Sequence, residues 1–204
     1  MSRMQDFVIT ISREYGSGGH DIGKRLASLL DIPFYDREVV ELTAKKHDLD
    51  ESRLNEMEDM SKTPLPFGLG GLGIAPDTND RLFIMQSQTV IELAQKPCVI
   101  VGRCADFVLR EHPNRYSFFI YSGIKQRLAH AEKHASVYKN ANAQTVARMD
   151  RRRAAYYKYY TGQEWGQPAN YHLCVDSGVL GLSTADVLAA FVQLAEQNKT
   201  EGAM

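Results

Sequence analysis

The densest chemistry in the chain lies in Arg13-Glu14-Tyr15-Gly16-Ser17-Gly18-Gly19-His20, with Asp21 directly behind. Glycines at 16, 18 and 19 let successive backbone N–H groups converge, and a helix starting there adds partial positive charge. Such a turn is an anion trap, and phosphate is the anion it suits best. Against the phosphate-loop pattern G-x-x-x-x-G-K-[ST], Gly18 takes the last glycine, Gly19 falls where the lysine belongs and His20 where the hydroxyl belongs, while Arg13 replaces the first glycine. The shape is present without its two active side chains. A tight strand-to-helix turn with no ligand is the alternative reading.

Further polar clusters are Asp36-Arg37, Gly102-Arg103 with Asp106, the run Arg151-Arg152-Arg153, and Asp176-Ser177. Guanidinium groups suit phosphate oxygens because they bind two at once. Each cluster also has a plainer reading: a solvated helix face for the arginine run, a carboxylate pair for Arg103, a helix cap for Asp36.

These clusters need elements to bring them together. Phe7–Ile11 is a short β-branched run that reads as a buried strand, and Ile22, Leu26, Leu29 and Leu30 follow at helical spacing. Further strands are expected near 31–36, 97–102, 116–121 and 171–176. Helices are expected at 39–47, 81–95, 124–136, 143–160 and 184–197, with another in the charged stretch 48–60 and a short one from Phe107. Ser61–Asp80 is so dense in proline and glycine that no regular element is expected, and a loop of that length reads as a mobile lid or binding segment. Apolar strands alternating with helices predict an α/β three-layer sandwich, a parallel sheet flanked by helices. In such sheets ligands gather beyond the carboxyl ends of the strands, which is where the glycine turn, Asp36-Arg37, Gly102-Arg103 with Asp106, and Asp176-Ser177 all fall.

The chain has 204 residues, 44% hydrophobic and 24% charged, with a formal net charge of -1. That balance gives no basic field to hold nucleic acid or an anionic membrane surface. The polar start MSRMQDF does not read as a signal peptide, and no apolar run approaches the roughly 20 residues of a bilayer span. Cys98, Cys104 and Cys174 form no C-x-x-C pair, as expected of reduced thiols in a cytoplasmic protein, with Cys98 and Cys174 as small core residues.

With these clusters assembled, the sequence resembles the cytidylate kinase-like family of P-loop nucleoside monophosphate kinases over nearly its whole length. ITISREYGSGGHDIGKRLASLLDIPFYDRE is similar to that family's opening segment, VGRCAD to its acceptor-gripping segment, Asp150-Arg151-Arg152-Arg153 to its arginine-rich lid, and YHLCVDSG to its closing strand. Cys104 departs from the pattern, standing where an aspartate would follow the arginine. The resemblance implies one P-loop kinase-like domain over 1–204, with an acceptor-side insertion at about 61–80 and a lid at about 137–170. It implies ATP and Mg2+ as cofactors and phosphoryl transfer to a small phosphate-bearing acceptor, (d)CMP first.

In that scheme Gly16, Ser17, Gly18, Gly19, His20 and Asp21 hold ATP phosphates, and Asp36, Arg37, Arg103 and Asp106 hold the acceptor. Asp21, at the position of the family's loop threonine, holds Mg2+ through water. Arg13, Arg151, Arg152 and Arg153 are the catalytic cations that replace the absent lysine. Lys24 is a poor substitute, because it lies about 200° round the helix from Ile22. The tyrosines at 156, 157, 159 and 160 cannot all face one ligand, so most are expected to pack or to lie at a contact between subunits of a homo-oligomer. Two other functions stay open: a non-catalytic nucleotide-binding protein, and a kinase of a non-nucleotide substrate.

Overall fold

The computed structural model describes residues 7–48, 78–138 and 140–201. Residues 49–60 of the helix expected at 48–60 and nearly all of the insertion at 61–80 lie outside the described residues. Its last three residues do not: Thr78–Asp80 already belong to a helix, contrary to the expectation of no regular element.

Five strands form one sheet in the order β2-β3-β1-β4-β5: β1 Val8–Arg13, β2 Phe34–Tyr35, β3 Cys98–Val101, β4 Arg115–Tyr121 and β5 Leu173–Asp176. Every neighbouring pair is parallel, with Val8 beside Cys98 on one flank and beside Arg115 on the other. β1 is therefore the centre of the sheet. Its apolar side chains are buried on both faces, which explains why the run is continuous rather than alternating.

Eight α-helices are described: α1 Gly19–Leu30, α2 Glu38–Lys46, α3 Thr78–Leu93, α4 Ala105–Val108, α5 Ile124–Lys133, α6 Ala143–Thr161, α7 Ser177–Leu180 and α8 Thr184–Glu201. On one face Ile9, Ile11, Val101 and Phe118 pack with Ile22 and Leu26 of α1 and with Leu188 and Val192 of α8. On the other, Val8, Cys98 and Ile100 pack with Val39 of α2, Val90 of α3 and Ala105 of α4. The α1 stripe differs from expectation in one member: Leu29 is 45% exposed, while Ala27 takes its place inside. Cys98 and Cys104 are buried free thiols, whereas Cys174, expected in the core, is only half-buried.

Within Ser177–Lys199 an 18-residue window reaches a mean hydropathy of 1.6, apolar enough for a membrane span by length and composition alone, as a core helix can also be. Its inward residues Ala185, Leu188, Ala189 and Val192 belong to the main core.

Candidate functional site

The carboxyl ends of β1, β2 and β3 bring the first clusters together. Arg13 is the last residue of β1, and the glycine turn runs from Glu14 to Gly18, where Gly18 adopts φ 78 as the N-cap of α1. Helix α1 begins three residues earlier than Ile22, so His20 and Asp21 stand in its first turn. The first N–H groups of a helix have no partner within it, the general condition for holding an anion there.

Gly19 occupies the position where the loop pattern has lysine. A Cβ there would lie 2.6 Å from the Arg13 Cβ and 2.7 Å from its Cγ. The Arg13 stem thus fills the space a side chain at 19 would need. Its guanidinium sits against Gly102, where a Cβ would meet Nη1 at 2.2 Å. From there Arg13 Nη2 donates to Asp36 Oδ1 at 3.1 Å, and His20 Nδ1 lies 2.6 Å from Asp36 Oδ2.

Asp36 is therefore the hub of a cation cluster. It is not the helix cap that its place before α2 suggests; the N-cap of α2 is Arg37, which is exposed and makes no side-chain cap bond. Burial alone pushes the Asp36 carboxyl up, but Arg13, the His20 hydrogen bond and Arg103 outweigh it and hold its pKa at about 2. The hydrogen bond to Asp36 in turn raises the His20 pKa, against the opposing effect of burial. Arg103 joins the cluster electrostatically from a left-handed backbone, φ 58, followed by Cys104 at φ 52.

Asp106, expected beside Arg103, is buried beneath the site instead. It accepts from Tyr157 Oη at 2.6 Å and from Ser12 Oγ at 3.3 Å. Burial raises its pKa, more than those two hydrogen bonds lower it. Its outer side borders a small polar recess shared with Arg110, Arg115, Gln163 and Asn170.

Helix α6 closes over the turn. Asn142 caps its start, accepting from Thr145 N at 2.9 Å, and Gly162 ends it at φ 71. Of the three arginines expected there, Arg153 alone is seen to reach the turn: Nη1 donates to the Arg13 carbonyl at 2.8 Å, and its guanidinium lies 5.6 Å from the centre of the Tyr15 ring. Burial, and then the charge of Arg13, press its pKa below the usual guanidinium range. Arg151 is exposed, and Arg152 is turned toward Met149 Sδ at 3.6 Å. Asp150 Oδ1 accepts from the Tyr15 N–H at 2.8 Å, so a carboxylate of the chain already sits on one donor of the turn.

Sequence reasoning missed Arg127. It is buried on α5, donates through Nε to the Tyr15 carbonyl at 2.7 Å, and pairs with Glu14 at 3.2 Å and with Asp150. Nothing local marks it among the other cations of that helix, since its burial comes from partners far away in the chain. Ser177 was named only as part of the closing cluster; its hydroxyl donates to the Ser17 carbonyl at 2.7 Å and so ties the turn to the end of β5. The tyrosines of α6 mostly pack: Tyr157 is buried, Tyr160 stacks on Phe83 at 4.0 Å, and Tyr159 stays exposed.

A parallel sheet with a glycine-rich turn after its central strand, and a basic helix over that turn, is the arrangement of P-loop kinases. The chain belongs to the cytidylate kinase-like family, whose sequence model matches residues 8–179. Among solved structures, an uncharacterised protein from Eubacterium ventriosum ATCC 27560 is 25% identical with a TM-score of 0.67, over 92% of this chain and 98% of that one. A shikimate kinase from Acinetobacter baumannii in complex with shikimate is 15% identical, TM-score 0.52, over 94% of each chain. A gluconokinase from Sinorhizobium meliloti 1021 is 15% identical, TM-score 0.55, over 96% and 97%. These last two share the kinase fold. No curated protein matches the chain.

Proposed function

We propose that this protein is an ATP- and Mg2+-dependent phosphotransferase acting on a small phosphate-bearing acceptor, with (d)CMP the first candidate. The observation that carries this reading is the convergence of cations on the glycine turn: Arg13 and His20 on Asp36 from one side, Arg153 from α6 on the other. Phosphoryl transfer needs positioning and charge neutralisation more than covalent chemistry, and this site offers backbone donors and guanidinium groups for both. ATP phosphates take the turn from Gly16 to Asp21. The acceptor phosphate takes the Asp36, Arg37 and Arg103 side, with the buried Asp106 supporting that segment from below.

Mg2+ is a hard ion that keeps waters and prefers phosphate and carboxylate oxygens. It would enter with the nucleotide, with Asp21 reaching it through water, and would neutralise phosphate charge there. Glu14 and Asp150 are poor candidates for that role because both are already paired with Arg127.

A non-catalytic nucleotide binder has one specific observation in its favour: the structure has no room for a lysine at position 19. An acceptor other than a nucleotide is supported by the shikimate kinase and gluconokinase neighbours, since the fold alone fixes no acceptor.

The experiment is a thermal-shift panel of nucleotides, shikimate and gluconate, with and without Mg2+, followed by coupled turnover assays on whatever binds. A ligand at 100 times its dissociation constant stabilises by about 2.7 kcal/mol. ATP and CMP are expected to shift the melt, and Gly18→Val to abolish the ATP shift while still folding. Binding of ATP with no turnover on any acceptor would favour the non-catalytic reading.

A further inference from the structure

Beside the glycine turn lies a second cluster that shares Asp21 with it and adds two histidines the proposed phosphoryl transfer does not use. His130 and His134 stand one turn apart on α5 and its C-cap, so both imidazoles emerge on one face of the helix. Their rings stack with centroids 4.5 Å apart. Both aim Nε2 at one carboxylate oxygen, Asp21 Oδ2, at 3.1 Å from His130 and 3.9 Å from His134. All three ligand atoms lie within 4.8 Å of one another. We propose that Asp21, His130 and His134 form a binding site for a borderline divalent transition metal of the Zn2+ class.

The geometry suits such an ion. Zn–N and Zn–O bonds of about 2.0–2.1 Å set tetrahedral ligand atoms roughly 3.3 Å apart, so drawing the trio onto one ion needs shifts under about 1 Å. Two imidazoles with one carboxylate leave at least one position open, as catalytic rather than structural zinc sites do. Mg2+, which selects oxygen donors, is a poor match for two nitrogens. His130 lies in the last turn of α5 and His134 at its C-cap, the end of a helix whose dipole favours a cation. The helix pair also fixes the ligands in advance, since His134 N–H donates to the His130 carbonyl at 3.2 Å.

The site also touches the turn: a Cβ on Gly18 would lie 3.4 Å from His130 Nε2. A bound ion would place positive charge next to the turn that lacks its lysine. The site itself rests on side-chain geometry alone and stands whether or not the turn holds ATP.

The test uses tag-free, chelator-treated protein titrated with Zn2+ by calorimetry and with Co2+ by visible absorption, Mg2+ serving as the control. The expected result is saturation at one Zn2+ per chain, with d–d bands of low-coordinate Co2+. His134→Ala, at an exposed position, and Asp21→Asn should each weaken Zn2+ by at least about tenfold, the smallest loss seen even for outer partners of a metal ligand. Far-UV circular dichroism should be unchanged in both. His112→Ala, elsewhere on the molecule, should bind as the parent does. No Zn2+ uptake by the parent, or equal uptake by His134→Ala and Asp21→Asn, overturns the proposal. Repeating the titration with Mg2+ and ATP present separates it from the phosphotransferase reading.

Discussion

His20 and Asp36 hold the titrating chemistry of the cation cluster. The fold raises the His20 pKa, so the stability it contributes is complete below about 6.5, its ordinary value, and is lost as pH rises through the raised value. Asp36 behaves oppositely. Its pKa of about 2 makes its contribution complete above the ordinary carboxylate range, and lost as pH falls toward that value. Anion affinity at the turn is therefore expected to hold in mildly acidic solution and to decline as His20 loses its proton on the alkaline side. Asp36→Asn should return the His20 titration toward its ordinary midpoint, measured by NMR of the imidazole protons. A His20 midpoint unmoved in that variant would mean that the pair does not couple. Arg103 offers a different residue-scale test. Its left-handed backbone costs about 1–2 kcal/mol for a non-glycine residue, so Arg103→Gly is expected to keep or raise the melting temperature while weakening acceptor binding. A lower melting temperature would show that the side chain's contacts outweigh the strain.

At the scale of the element, α6 shows what the sequence could and could not say. The charged run 150–153 was visible, as was the helix. Which arginine faces the turn depends on the helix's phase, and that is set by Val146 and Tyr157, both buried. Val146, Asp150, Arg153 and Tyr157 fall at helical spacing on one face, and Arg151 falls off it. The stripe was hard to read because two of its four members are charged. Arg127 was not readable at all, because its partners Glu14 and Asp150 lie outside its own helix, on either side of it in the sequence. Kinetics of alanine variants test the assignment. If the protein is a kinase, Arg153→Ala should cut turnover by about 10³-fold or more, the size seen for arginine donors in phosphoryl transfer. Arg151→Ala should stay near the parent value, and Arg153→Lys should rescue poorly, since lysine cannot make a two-pronged contact. Equal effects at 151 and 153 would mean that α6 moves in turnover.

At the scale of the whole molecule, the alternation of apolar strands and helices was enough for a parallel sheet with both faces covered. The strand order was not legible, because nothing in the apolar runs themselves says which one sits in the middle. Phe118 on β4 is fully buried in the main core between the sheet and the α1–α8 layer. Phe118→Ala is expected to cost about 3–5 kcal/mol, read as a lower urea midpoint with an unchanged slope. A loss under about 1 kcal/mol would mean that the layer collapses readily around the gap.

The central place of β1 also bears on how the chain is made. Its partners are β3 and β4, so Val8–Arg13 leaves the ribosome long before Cys98 and Arg115 exist to flank it. Until then its apolar face and its unpaired backbone are open to any other strand or to a chaperone. Loop closure over that separation must precede any sheet pairing that rewards it, which slows nucleation. Arrested nascent chains ending before β4 should therefore stay protease-sensitive from the first strand onward, and protection should appear only once the segment through Tyr121 has emerged.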